Sequence, residues 1–159
     1  MSNLSLQTKP YSFDDDCQRF ESLGASVCIK ADAGQTGGAF NLFDVLCPVG
    51  YETPLHIHYA EDVAIYILEG VLDIFWGEES KRAKPGSYFF QPKGTPHGFR
   101  VNGTKPVRML YLTFPAGFDA FVMERAKPFT DLDAMMLEAR HKIEILGSLP
   151  ALEKGEDDE

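Results

Sequence analysis

The sequence predicts an all-β fold, a small antiparallel β-barrel with α-helices at its C-terminal end. Two observations carry this. Short runs rich in β-branched and aromatic residues follow one another from Ser26 to Phe114, separated by Gly and Pro turns, and after Pro115 the apolar period changes to a helical one. The runs are SVCIKA, AFNLFDVLCP, DVAIYIL, VLDIFWG, SYFFQP, HGFRV and VRMLYLTF. Strands this short, with little room for helices between them, close most simply into a barrel or sandwich.

The expected organisation has an N-terminal arm and first strand over residues 1–25, the barrel over 26–115, helices packed on the barrel over 116–147 and an acidic, disordered tail over 148–159. Between strands, Lys84-Pro85-Gly86 suits a type II turn, because proline presets φ and glycine accepts the positive φ that follows. Gly70 interrupts two strand runs without a loop and predicts a sharp bend or bulge. In the first helix Phe118, Phe121, Val122 and Arg125 share a helical spacing. In the second, Leu132, Met135, Met136, Ala139, Ile143 and Leu146 do so, with Asp131 or Asp133 as cap and Gly147 and Pro150 as stop. Both helices are expected on the outside of the barrel or against a partner subunit.

A chain of 159 residues with 44% apolar and 25% charged residues suits one domain with a core of its own. Its net charge of −9, with no Lys/Arg cluster, argues against nucleic acid and anionic membranes as partners. The N-terminal stretch lacks a basic start and apolar run, and no segment approaches the roughly 20 apolar residues of a membrane span, so a cytoplasmic protein is expected. Cys17, Cys28 and Cys47 show no CxxC spacing and are expected as reduced thiols, Cys47 as a small hydrophobe in FDVLCP. No GxSxG elbow appears, and GQTGGAF lacks the lysine of a phosphate loop.

The chemistry concentrates in three of the four histidines. His56 and His58 are two apart in strand context and so project to one face, while His97 follows the rigid entry PKGTP into another strand. If that strand lies opposite, three imidazoles converge, a donor set suited to Zn, Cu, Fe, Ni or Mn. An HxH pair alone is equally what a surface pair beside a turn looks like. Trp76 reads as a core or interface residue, and His141 as a surface or packing residue of the second helix.

Two longer patterns go further. Gly50-YETPL-His56-Ile-His58 with Gly70 after the strand, and Gly86-SYFFQ-Pro92-Lys-Gly94-Thr-Pro-His97, resemble the two motifs of the cupin superfamily. QTGGAFNLFDVLCPVG, FPAGFDAFVMERAKP and ARHKIEILGSLP resemble bacterial single-domain cupins of the quercetin 2,3-dioxygenase-like group. The resemblance implies a double-stranded β-helix, or jelly roll, with His56, His58 and His97 holding a divalent transition metal and a homodimer as the assembly. It also implies a pocket for a small hydrophobic or aromatic molecule, lined by Tyr59, Val63, Ile65, Phe75, Phe90, Phe99 and Tyr111, with Phe40, Leu42, Ile67 and Met109 also facing inward.

One departure matters. The motif's glutamate ligand falls on Val63, which has no donor atom. Three alternatives follow: Glu61, or Asp62, supplies the oxygen; three histidines suffice; or the site is degenerate and empty. Without the anionic ligand the site is better suited to Zn or Cu than to Mn; no catalytic residue is assigned, Glu61 being a candidate. The functional expectation is a metal-binding, quercetinase-like oxygenase, and its alternative a non-catalytic small-molecule-binding cupin.

Overall fold

A computed structural model describes residues 9, 11–14, 16–128 and 130–151, so the expected disorder of the tail beyond residue 151 lies outside the described residues. Eleven strands and two helices follow in the order β1 (Phe20–Ser22), β2 (Ala25–Ala31), β3 (Asn41–Cys47), β4 (Leu55–His58), β5 (Asp62–Glu69), β6 (Leu72–Trp76), β7 (Glu79–Ala83), β8 (Tyr88–Gln91), β9 (His97–Arg100), β10 (Val107–Phe114), α1 (Phe118–Arg125), α2 (Asp131–Arg140) and β11 (Ile143–Gly147). They form two antiparallel sheets, ordered β1-β2-β3-β10-β5-β8 and β11-β4-β9-β6-β7. The fold is the expected antiparallel jelly roll with C-terminal helices.

The strand alternation builds the core. Val63, Ile65 and Ile67 of β5 and Val107 and Met109 of β10 point inward, at 0–1% exposure, and meet Leu72, Ile74 and Phe99 from the facing sheet. Each such aliphatic side chain contributes roughly 1.5–3 kcal/mol by leaving water. A second cluster joins Val27 and Phe43 to Phe118, Phe121 and Val122 of α1 and Leu137 of α2. α1 therefore does not lie on the outer wall, as its amphipathic spacing suggests, but covers one end of the space between the sheets.

That position is secured by a residue the strand pattern hides. Asn41, fully buried, accepts from Gly117 N at 3.0 Å, Asp119 N at 3.2 Å and Thr113 Oγ1 at 3.3 Å, so its carbonyl satisfies the first amides of a helix that has no side-chain cap of its own. α2 is capped by Thr130 with Asp133 in a capping box, rather than by Asp131 or Asp133 as cap.

Three further readings are corrected. The second helix does not run on to Leu146: it ends at Arg140, Lys142 takes φ +56°, and Ile143–Gly147 forms a strand along β4. His141 is the C-cap of the helix and packs its ring against Phe121, in keeping with the packing role read from the sequence. The β-branched alternation of IEI overrides a helical spacing that fits the same residues. Glu79–Ala83, too polar to read as a strand, pairs with β6 through a two-residue turn and is a charged edge. Cys17 and Cys28 form a disulfide, because the β1–β2 hairpin folds the arm back on β2, whereas Cys47 is a buried thiol raised by burial to about 12. No helix among the described residues is long and apolar enough to cross a membrane.

Gly70 separates β5 from β6 at φ +82°, and a Cβ there would meet the Pro106 carbonyl oxygen at 2.4 Å and Val107 Cγ2 at 2.9 Å. Gly77 has φ +56° but nothing within 4 Å. Gly70→Ala is expected to cost about 3 kcal/mol or more, from strain plus overpacking, and Gly77→Ala about 1–2 kcal/mol, from strain alone. Urea unfolding of both variants checks this; equal losses would show that the close approach to Pro106 and Val107 is not what requires Gly70.

Candidate metal centre

His56 and His58 come from β4 and His97 from β9, and these strands are neighbours in one sheet rather than opposite walls. His56 and His97 face each other directly across the strand pair. The ring centroids lie 4.4 Å (His56–His97), 5.0 Å (His56–His58) and 5.2 Å (His58–His97) apart. One ligand atom from each residue falls within 4.8 Å of the others, so the three can hold a metal ion.

Each ring is held by its Nδ1. His56 Nδ1 donates to the Pro54 carbonyl at 2.7 Å, His97 Nδ1 to the Thr95 carbonyl at 2.9 Å, and His58 Nδ1 to Glu61 Oε1 at 2.7 Å. A proton on Nδ1 leaves the Nε2 lone pair of all three rings free to bind a metal, the arrangement seen when a second partner sets a ligand's tautomer. His97 Nε2 is buried and has no partner. This donor set fits a divalent transition metal, with His56, His58 and His97 to hold it.

The turns that carry the acceptors are local consequences of sequence. Pro54 and Thr95 each stand two residues before the histidine they orient, where an extended chain returns the carbonyl to the ring. Gly94, at φ +82°, donates its amide to the His58 carbonyl at 2.8 Å and ties the PKG turn to β4. On the other side of β4, β11 pairs Ile143 with His58 and Ile145 with His56.

Glu61 is 6% exposed and stands behind His58. Asp62 accepts from Lys93 N at 2.8 Å. Neither carboxylate belongs to the three-histidine group.

The histidines open on a cavity of about 630 Å³ whose apolar walls include Phe43, Val45, Ile65, Phe99, Met109 and Phe118, with Tyr51 and Tyr111 among the polar groups. The Phe118 ring lies 5.1 Å from His58, edge to face. Burial raises Tyr51 and Tyr111 above the ordinary phenol range, so both stay protonated. Burial, aided by His58, lowers His56 to about 4 against the pull of the Pro54 carbonyl; burial, aided by His56 and His58, lowers His97 to about 3 against that of Thr95.

Of the residues expected to line the pocket, Ile65, Phe99 and Tyr111 do. Val63 is sealed in the core, and Phe75 lies on the other face of its sheet with the Arg100 guanidinium 5.5 Å from its centroid. Phe90 points out, 51% exposed, while Phe89 packs on the core. Tyr59, 48% exposed, donates to Glu144 of β11. On β3 the cavity takes Phe43 and Val45 rather than Phe40 and Leu42. In runs with large apolar residues at both parities, such as SYFF and AFNLF, either parity looks inward, and only the sheet register decides. Tyr51, Asn41 and the place of Phe118 beside His58 escape the sequence reading; the two motifs mark ligands, not the groups that roof or brace them.

Residues 43–113 match the family described as Cupin domain. The chain is 33% identical over 75 residues to the uncharacterized protein MJ1618 of Methanocaldococcus jannaschii, a match spanning 47% of this chain and 60% of that protein's length. Among solved structures, KdgF from Halomonas sp. is similar at 19% identity and TM-score 0.61, over 71% of this chain and 99% of that one. An RmlC-like cupin from Shewanella frigidimarina is similar at 18% and 0.62, over 72% and 97%. The polyketide cyclase RemF from Streptomyces resistomycificus follows at 24% and 0.56, over 65% and 77%.

The lowered histidines have a consequence for the metal-free protein. Unfolded, His56 and His97 regain an ordinary value near 6.5 and take up protons that the folded state refuses. Stability is therefore expected to fall as pH drops from about 6.5 toward 4. Urea midpoints of chelator-treated protein at pH 7 and 5.5 check this, and His97→Gln should flatten the slope. A midpoint that does not move over this interval would mean that the rings are not buried neutral.

Proposed function

We propose that this cupin-fold chain holds one divalent transition-metal ion, of the Zn, Fe, Ni, Cu or Mn group, on Nε2 of His56, His58 and His97, and acts there as a dioxygenase-like oxidoreductase on a small hydrophobic or aromatic molecule. The observation that carries this is the set of three Nδ1 hydrogen bonds, which leaves the three Nε2 atoms as donors on the lining of one cavity. A bound ion supplies Lewis-acid or redox chemistry to an oxygen-bearing substrate. Around it, Phe43, Ile65, Phe99 and Phe118 receive the apolar body of the substrate and exclude water. Tyr51 and Tyr111, kept protonated, offer hydroxyl donors to substrate oxygens. Glu61 is a positioning residue: its carboxylate orients His58.

The choice of an oxygenase over an isomerase or a cyclase such as RemF rests on the likeness of the segments flanking the two motifs to quercetin 2,3-dioxygenase-like cupins and on the apolar cavity. A second reading, a non-catalytic cupin that binds a small molecule in a degenerate site, is favoured by Val63, where the motif's carboxylate is missing. Oxygen uptake with flavonol substrates by the metal-loaded protein distinguishes them.

Elemental analysis of the purified protein is expected to find one transition-metal ion per chain, and none in His58→Ala. Glu61→Ala should weaken binding 10–100-fold, and Glu61→Gln less, because the amide oxygen still accepts from Nδ1. A wild-type chain that takes up none of Zn, Fe, Ni, Cu or Mn would rule the metal reading out.

A homodimer is proposed on the free edge of β8, where Tyr88 and Phe90 are 60% and 51% exposed beside Tyr66 at 40%. Light scattering should give twice the chain mass, and Phe90→Asp the mass of one chain. A monomeric wild type would exclude it.

A further inference from the structure

Gln91 ends β8 directly opposite Val63 of β5. Residues opposite one another in an antiparallel pair project to the same face, with Cβ atoms about 4.5–5.5 Å apart. Val63 points inward and is fully buried; Gln91 points the same way, is 4% exposed and lines the cavity with His56, His58 and His97. Its Oε1 and Nε2 are both buried without a hydrogen-bond partner, as is Nε2 of His97.

A buried carboxamide with neither atom satisfied is an expensive use of a position that Leu or Met would fill at similar volume. The neighbours on β8 are aromatic, Phe89 against the core and Phe90 outside, so the glutamine breaks an otherwise apolar strand end. It does so next to the one position, 63, where the cupin motif asks for an oxygen ligand and this chain has valine. A carboxamide oxygen is a hard donor with two lone pairs, and the glutamine side chain is long enough to serve the space in front of its cross-strand neighbour.

We infer that Gln91 Oε1 is the fourth protein ligand of the ion held by His56, His58 and His97, a neutral donor that takes over from the opposite strand the place of the carboxylate missing at position 63. The inference rests on the metal reading above. It makes the donor set three nitrogens and one amide oxygen, all neutral, and leaves the full charge of a divalent ion to face an anionic oxygen of the substrate.

The test is titration of chelator-stripped wild type, Gln91→Ala and Gln91→Glu with Co²⁺ and with Zn²⁺, followed by the visible bands of Co²⁺ and by competition with a chromogenic chelator. Gln91→Ala is expected to lower affinity at least tenfold and to shift the Co²⁺ bands, and Gln91→Glu to bind at least as tightly as wild type. If Gln91→Ala does not fold by circular dichroism, Gln91→Met, which keeps the volume and lacks the oxygen, is read the same way. Unchanged affinity in the variant overturns the inference and leaves the three-histidine site standing. Reduced affinity with unchanged Co²⁺ bands overturns it too, because a merely structural role would weaken binding without altering the donor set. Failure of the wild type to bind either ion overturns this inference, and failure with Fe, Ni, Cu and Mn as well overturns the metal reading with it.

Discussion

Three imidazoles gathered against an apolar cavity must each be told which nitrogen carries the proton, and that constraint governs the rest of the structure. A ring with both nitrogens unpartnered would be costly to bury and free to present either one. Here every Nδ1 has an acceptor within 2.9 Å, two of them backbone carbonyls and one a carboxylate. Each Nδ1 thereby carries a proton, and the same nitrogen, Nε2, is left for a metal on every ring.

The scaffold can be understood as what keeps those acceptors still. β4 is only four residues long and meets β9 through a single pair, so on its own it would be a weak platform. β11 supplies the second side of the ladder, and the amide of Gly94 anchors the carbonyl of His58. Across the cavity, Asn41 fixes the start of α1, and α1 lays Phe118 against His58. Two elements C-terminal to the barrel motifs thus converge on His58: β11 pairs with its backbone, and α1 sets Phe118 against its ring.

How much of this the sequence reveals differs by level. The barrel strands show in the alternation of DVAIYIL and VLDIFWG because β-branched residues with one buried face leave a period-two signature. β7 and β11 do not, one because an exposed edge strand can be as polar as ESKRA, the other because IEILG also fits the helix before it. The histidines and their spacing are legible since HxH places two rings on one face by geometry alone. Their neighbourhood is not: which wall His97 joins, which parity of SYFF faces inward and whether Glu61 ligates or braces all depend on register and turn shape, which long-range pairing sets. The disulfide belongs with these, since a hairpin, not a spacing motif, brings Cys17 beside Cys28.

The position of the negative charge follows from the same geometry. With Val63 in the core, the carboxylate nearest the histidines is that of Glu61, one imidazole removed from any ion at the Nε2 atoms. A carboxylate in direct contact would neutralise part of a divalent charge and compete for an open position; one behind His58 instead orients that ring and leaves the open positions alone. The cavity offers hydroxyls that burial keeps protonated, set among apolar walls. On the proposed metal reading, an anionic oxygen of a bound small molecule would balance the ion's charge while its carbon frame fills the apolar space.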